Sequence, residues 1–202
     1  MLLHNLLKNY RVVLASQSPR RQKLLSELGI QFEVRLNGDN DESYPDSLER
    51  KVIPEYLAKK KALPFLQNLA SNEVLITSDT IVIQDNTVIG KPKSYDDAIA
   101  ILNKLSGQKH TVISGVAISS IQKQITFSAT TDVYFRELAA HEISYYINTF
   151  KPYDKAGAYG IQEWIGYVGV ERIDGSYFNV MGLPVQKLYT ELLYFLEKIN
   201  NP

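Results

Sequence analysis

The 202-residue chain has no cysteine. That excludes disulfides and thiolate metal sites and is compatible with a reducing compartment. Histidine is scarce: His4, His110 and His141 stand apart, with no HExxH spacing, which speaks against a zinc hydrolase. No Gly-x-Ser-x-Gly elbow appears, so a serine hydrolase is not supported. Neither charge is in excess: Lys+Arg 22 balances Asp+Glu 22, so no basic field points to nucleic acid. No apolar run approaches membrane-spanning length, and no membrane partner is expected. Met1 to Arg11 holds Leu2-Leu3 but also His4, Asn5 and Lys8, without the apolar centre of a signal peptide, so the expected location is the cytoplasm. Repeats, low-complexity stretches and linkers are missing too. Hydrophobic content of 45% and charged content of 22% suit one sizeable α/β domain or two closely packed lobes.

What is present begins with Val12-Val13-Leu14-Ala15-Ser16-Gln17-Ser18-Pro19-Arg20-Arg21. Val12 to Ala15 is apolar and β-branched at its start, which predicts a buried strand. Ser18 suits an N-cap, Pro19 the first helical position and Gly29 the position past the end. A helix is therefore predicted over Pro19 to Leu28, burying Leu24, Leu25 and Leu28. Arg20 and Arg21 fall in its first turn, where the helix dipole disfavours cations. Two readings stand level on these residues alone. One is a solvated basic turn. The other is an anion site, where guanidinium, the Ser16 and Ser18 hydroxyls and backbone N–H groups meet phosphate oxygens.

Phe32-Glu33-Val34 reads as a short strand. The polar run from Asn37 to Pro45, with Asp39, Asp41 and Glu42, reads as a solvated loop. A helix is predicted over Pro54 to Leu66, with Ile53, Leu57 and Leu63 or Phe65 toward a core. Lys59, Lys60 and Lys61 cover nearly a full turn of it and cannot all face one way. Glu73 to Ile83 is the strongest strand, interrupted by Ser78-Asp79-Thr80. A carboxylate there is costly to bury unless paired, hydrogen-bonded or metal-bound, and such groups gather at functional sites. A structural Asp satisfied by backbone N–H groups is the competing reading. Asp85-Asn86 predicts a hairpin into Val88-Ile89, followed by Gly90-Lys91-Pro92.

Ser94 opens a further helix with Ala98, Ile99, Ile101, Leu102 and Leu105 on its apolar face, ended by Gly107. Thr111 to Ser119 and Gln124 to Tyr134 read as an antiparallel pair of strands, and Ala139 to Thr149 as a helix with Ile143, Tyr146 and Ile147 inward. From Asp154 to Pro184, six glycines predict backbone that turns sharply or approaches a ligand closely, without a phosphate-loop or dinucleotide pattern. A last helix runs from Val185 to about Ile199. The chemistry that remains is a set of carboxylates (Glu42, Asp79), cations (Arg20, Arg21, Lys61, Lys91) and one amide (Gln162). That set suits a phosphate ester bound with a hard divalent cation.

Leu14 to Arg21, Asp41-Glu42, Leu57-Ala58 with Lys61-Ala62, Ser78-Asp79-Thr80, Gly90-Lys91-Pro92, Leu105-Ser106-Gly107, Thr131-Asp132-Val133, Asp154 to Gln162, Gly175-Ser176-Tyr177 and Gly182-Leu183-Pro184 occur in that order. Together they resemble the Maf family of nucleoside triphosphate pyrophosphatases, also called septum formation inhibitor Maf, from Leu14 to about Leu188. The resemblance implies a single Maf-like domain over 1–202. Its implied fold is α/β and Maf/ITPase-like: a mixed, curved central sheet with flanking helices, two lobes and an intervening cleft where Asp79, Arg20 and Gln162 converge. It implies hydrolysis of a nucleoside triphosphate between the α- and β-phosphates, and a homodimer. Asp79 would be the proton acceptor that activates water or holds the metal. Ser16, Arg20, Arg21, Lys61 and Lys91 would bind phosphate, and Glu42 with Asp79 a Mg or Mn ion.

Arg20, Thr80 and Gln162 match the branch that resembles dTTP/UTP pyrophosphatases. The branch acting on 7-methyl-GTP would show Gln in place of Thr80 and Glu in place of Gln162. The chemistry agrees, because an amide and a hydroxyl pair with the imide edge of uracil or thymine, whereas a carboxylate suits a donor-rich guanine edge. Two positions depart from the family pattern. Lys151 stands where many members have Glu, so no metal role falls on it, and Gln17 stands where Gly is common. Two other functions stand beside the first: a house-cleaning pyrophosphatase for modified pyrimidine nucleotides, and a non-catalytic nucleotide-binding regulator of cell division, against which the balanced charge speaks.

Overall fold

The computed structural model describes residues 2–38 and 41–200; Asp39, part of the expected acidic loop, lies outside them. In chain order the elements are α1 (Leu3–Leu6), β1 (Arg11–Leu14), α2 (Pro19–Glu27), β2 (Phe32–Val34), α3 (Ile53–Leu66), β3 (Glu73–Gln84), β4 (Thr87–Ile89), α4 (Tyr95–Leu105), β5 (Lys109–Ser119), β6 (Gln124–Phe135), α5 (Ala140–Phe150), α6 (Trp164–Gly169), β7 (Val170–Asp174), α7 (Tyr177–Met181) and α8 (Val185–Asn200). The strands form a seven-stranded sheet in the order β2-β1-β3-β5-β6-β7, with β4 beside β3. It is mixed: β1 runs parallel to β2 and β3, while β4 is antiparallel to β3 and β7 to β6. The chain divides into two compact units, Met1–Asp79 with Ser114–Ala129 and Gly182–Pro202, and Thr80–Ile113 with Thr130–Met181. Among the described residues no helix is long and apolar enough to cross a membrane.

In the first unit β1 lies between two parallel neighbours, Val12 opposite Phe32 on one side and Val74 on the other. A strand paired on both edges and covered on its faces reads as a continuous apolar run, and Val12, Val13 and Leu14 are buried. The predicted helix is α2: the Ser18 hydroxyl accepts from the Arg21 N–H, Pro19 sits at the first position, and Leu24 and Leu25 are buried. Gly29 takes φ +73° just beyond it, a left-handed value that glycine adopts without steric cost. Helix α3 packs Ala62 and Phe65 with Val13, Leu69 and Leu75, while Leu63 points outward. Two contacts fix its position. The Thr77 hydroxyl donates to the Ala58 carbonyl at 2.6 Å. A Cβ on Gly115 would overlap the Pro54 backbone, so α3 begins directly against β5.

In the second unit the β3–β4 turn is made by Asp85 (φ 48°) and Asn86 (φ 59°), both left-handed, as a two-residue hairpin requires. Ser94 caps α4, its hydroxyl accepting from the Asp97 N–H at 3.1 Å. Ala98, Leu102 and Leu105 of α4 meet Ile143, Tyr146 and Ile147 of α5 in the core of this unit. The glycine-spaced segment is more ordered than the glycines suggest. After Gln162 it forms α6, β7 and α7, and Ile173 of β7 pairs with Val133 of β6. Lys151, one of the two departures from the family pattern, ends α5 in a left-handed conformation (φ 49°), so its position is a helix stop.

Candidate active site

The first unit gathers six of the expected residues. The turn after β1 buries Ser16, whose hydroxyl accepts from the Ser18 N–H at 3.2 Å and keeps its own proton to donate. The Gln22 amide donates to the Ser16 carbonyl at 3.1 Å and closes the turn. Arg21 points inward from the first turn of α2. Its Nε donates to the Gly182 carbonyl and its Nη1 to the Ser78 carbonyl, both at 2.8 Å. Burial lowers the Arg21 pKa from the usual guanidinium value. Asp79 and Glu42 draw it back up, and Arg20 adds to the lowering. Arg20, Arg21, Glu42 and Asp79 therefore share one electrostatic neighbourhood.

Asp79 is buried at the end of the first unit's share of β3. Its Oδ1 is held by the Lys61 ammonium from α3, which also donates to Glu42 Oε1 at 3.2 Å. The Thr77–Ala58 hydrogen bond sits about one helical turn before Lys61 and two residues before Asp79, so the same contact that seats α3 also aligns this pair. Lys61 thus joins two carboxylates, and its side chain is 21% exposed against 8% for Asp79.

Sequence reasoning missed the neighbour of Lys61. Lys60 donates to Asp41 Oδ2 at 2.6 Å and to the Ser43 hydroxyl and carbonyl at 2.8 and 2.9 Å, pinning the acidic loop beside Glu42. That lysine holds the Asp41 carboxyl below the usual carboxylate range. Glu42 and Asp79 are hard oxygen donors suited to Mg²⁺ or Mn²⁺, which take one or two protein carboxylates and complete their shell with water and phosphate. No group of three or more His, Cys, Asp or Glu that could hold a metal occurs among the described residues.

Thr80, Lys91 and Gln162 belong to the second unit. Thr80 is half-buried and Lys91 exposed. The Gly157 N–H donates to the Gly90 carbonyl at 3.1 Å, tying the segment before Lys91 to the glycine stretch that carries Gln162. The Gln162 amide oxygen is buried and has no hydrogen-bond partner among the described residues. A buried amide acceptor left unpaired costs about 1–3 kcal/mol, a cost removed by any ligand that brings a donor. The residues around it were also missed. Lys155, Glu163 and Tyr146 form a network beside Gln162, and nothing local in the sequence signals it.

Comparison with known proteins agrees in one direction. The family described as Maf-like protein matches residues 11–195. A dTTP/UTP pyrophosphatase from Parabacteroides distasonis is 55% identical over 194 residues, covering 96% of this chain and 100% of that protein. Another dTTP/UTP pyrophosphatase, from Phocaeicola vulgatus, is 54% identical over 191 residues, covering 95% and 98%. Among solved structures, a HAM1 protein from Coxiella burnetii is 14% identical with a TM-score of 0.48, covering 92% of this chain and 99% of that one.

Proposed function

The chain belongs to the Maf family, and on that footing we propose that it hydrolyses dTTP and UTP between the α- and β-phosphates, giving the nucleoside monophosphate and pyrophosphate. The observation that carries the reading is the first unit's charged cluster, in which Lys61 joins Glu42 to Asp79 and Arg21 feels Asp79, Arg20 and Glu42. Asp79 takes the proton of the attacking water on its carboxylate, which Lys61 holds in place. Arg20 and Lys61 neutralise phosphate charge. The Ser16 hydroxyl and the N–H groups at the start of α2 donate to phosphate oxygens. Arg21 braces the carbonyls of Ser78 and Gly182 and adds its charge from behind.

Glu42 and Asp79 would hold the divalent cation, Mg²⁺ or Mn²⁺. Bound there, such an ion offsets phosphate charge and activates water. Lys91 belongs to the phosphate set, and Thr80 and Gln162 to base selection. The orphaned Gln162 acceptor suits the N3–H of uracil or thymine; cytosine presents an acceptor at that atom instead. The homodimer and the cytoplasmic location implied by the family belong to the same proposal.

A nucleotide panel tests the reading. Purified protein with Mg²⁺ or Mn²⁺ is expected to release pyrophosphate and monophosphate from dTTP and UTP, with CTP and GTP slower and chelator abolishing turnover. No pyrophosphate from any triphosphate would overturn it in favour of a binding role. Preference for modified pyrimidine triphosphates would move the substrate within the same chemistry.

A further inference from the structure

Lys155 carries a buried charge in the second unit, its side chain 8% exposed. Its ammonium lies 3.1 Å from Glu163 Oε1 and 2.7 Å from Asp154 Oδ1. The other Glu163 oxygen accepts from the Tyr146 hydroxyl. The Tyr146 oxygen in turn accepts from the Gly160 N–H at 2.9 Å. Tyr146 thus ties both ends of the segment from Gly160 to Glu163, and Gln162 lies between those ends. Gln162 Nε2 and Glu163 Oε2 lie 2.8 and 2.9 Å from one point, where a Cβ on Gly160 would stand. The NH₂ group and the carboxylate thus both border Gly160, and Gln162 Oε1 is the buried atom without a partner among the described residues. Flipping the amide would turn its oxygen to the Gly160 side, which the carboxylate also borders, acceptor beside acceptor.

We infer that Lys155, Glu163 and Tyr146 are positioning residues that lock the Gln162 amide with its oxygen as the acceptor offered to the base. Triphosphates that present an N–H there are taken over those that present an acceptor. The inference rests on the pyrimidine triphosphate reading above. Lys155 and Tyr146 are buried and Glu163 largely so, and loss of the network frees the amide to rotate.

The test is kcat/KM for UTP and for CTP in the wild type and in Glu163→Gln and Tyr146→Phe. Glu163 accepts from two donors, whereas a glutamine has one carbonyl oxygen and strands one of them. The UTP-to-CTP ratio is expected to fall about ten- to hundred-fold in Glu163→Gln, through UTP, with CTP's own constants nearly unchanged. Glu163→Asp keeps the charge and is expected to recover part of the ratio. A network that only stabilises the fold would lower the melting temperature and scale both substrates alike; an unchanged ratio overturns the inference. If Glu163→Gln does not fold, Tyr146→Phe, which loses one oxygen, reads the same ratio. A wild type that releases no pyrophosphate from UTP defeats the proposed function itself. That is distinct from a wild type that discriminates and variants that discriminate equally.

Discussion

Replacing Asp79 by Asn separates chemistry from stability. The side chain keeps its volume, and its amide oxygen still accepts from Lys61; what goes is the negative charge. Two unit charges 4 Å apart interact by about 4 kcal/mol at an effective dielectric of 20, before desolvation is subtracted. Lys61 is one-fifth exposed and shared with Glu42, so the net loss of stability is expected to be about 1–2 kcal/mol. In a chain of this length that is a fall in melting temperature of roughly 2–8 °C, and the protein stays folded at 25 °C. Turnover is expected to fall about 10²- to 10⁴-fold, the scale of a lost general base, equivalent to about 2.7–5.5 kcal/mol on the barrier. Pyrophosphate release from UTP at saturating Mg²⁺, beside a thermal melt, gives both quantities from one preparation. Near-normal turnover in a folded Asp79→Asn protein would refute the role. A large activity loss matched by a collapse of the melt would show that the carboxylate is structural.

Other perturbations follow from the same geometry. Buried His110 holds the Tyr159 hydroxyl at 2.7 Å and stacks edge-on against Phe135, and burial lowers its pKa to about 4. The unfolded chain therefore takes up a proton first, and stability present above pH 6.5 drains as the pH falls to about 4. The gap corresponds to about 3 kcal/mol. Denaturant midpoints measured across that window should be flatter in His110→Gln than in the wild type. Glu73 accepts from Arg35 at 2.8 and 3.1 Å, from Arg11 at 2.7 Å and from the Ala70 N–H, and Arg35 leads in lowering its pKa to about 2. Its contribution is complete above about pH 4.5 and lost toward pH 2. Glu73→Gln should cost about 2–3 kcal/mol at pH 7, and much less near pH 2. Gly115→Ala should cost about 1–3 kcal/mol by forcing α3 away from β5; an unchanged melt would mean that the Pro54 backbone yields freely.

The strand, turn and helix from Val12 to Leu28 were legible because three independent local signals coincide there: apolar β-branching, a serine cap with proline behind it, and a glycine past the end. Asp79 was legible because a carboxylate in an apolar run is conspicuous on energetic grounds alone. The stretch from 163 to 181 was not. Its short elements hold by tertiary pairing, as β7 does on β6, while Gly166, Gly169 and Gly175 punctuate the sequence like a loop. Glu163 reads as a surface charge until Lys155, eight residues earlier, and Tyr146, seventeen earlier, are seen to hold it. The run Lys59-Lys60-Lys61 resolves in a similar way. Adjacent lysines on a helix point about 100° apart, yet Lys60 and Lys61 both reach the acidic segment, meeting Asp41 and Glu42 respectively.

In the first unit two carboxylates, Glu42 and Asp79, stand among the cations proposed to bind phosphate. With no cation bound, Glu42 and Asp79 weaken the attraction of Arg20, Arg21 and Lys61 for an anion. Lys61 is held between them, and Arg21 has two of its five N–H donors committed to carbonyls. The cluster is therefore built to keep its groups in fixed places rather than to maximise attraction. That suits catalysis, in which preorganised charge aimed at the changing phosphorus is worth more than tight binding of the ground state. In the proposed mechanism Asp79 is a base already in position for the proton that the attacking water gives up.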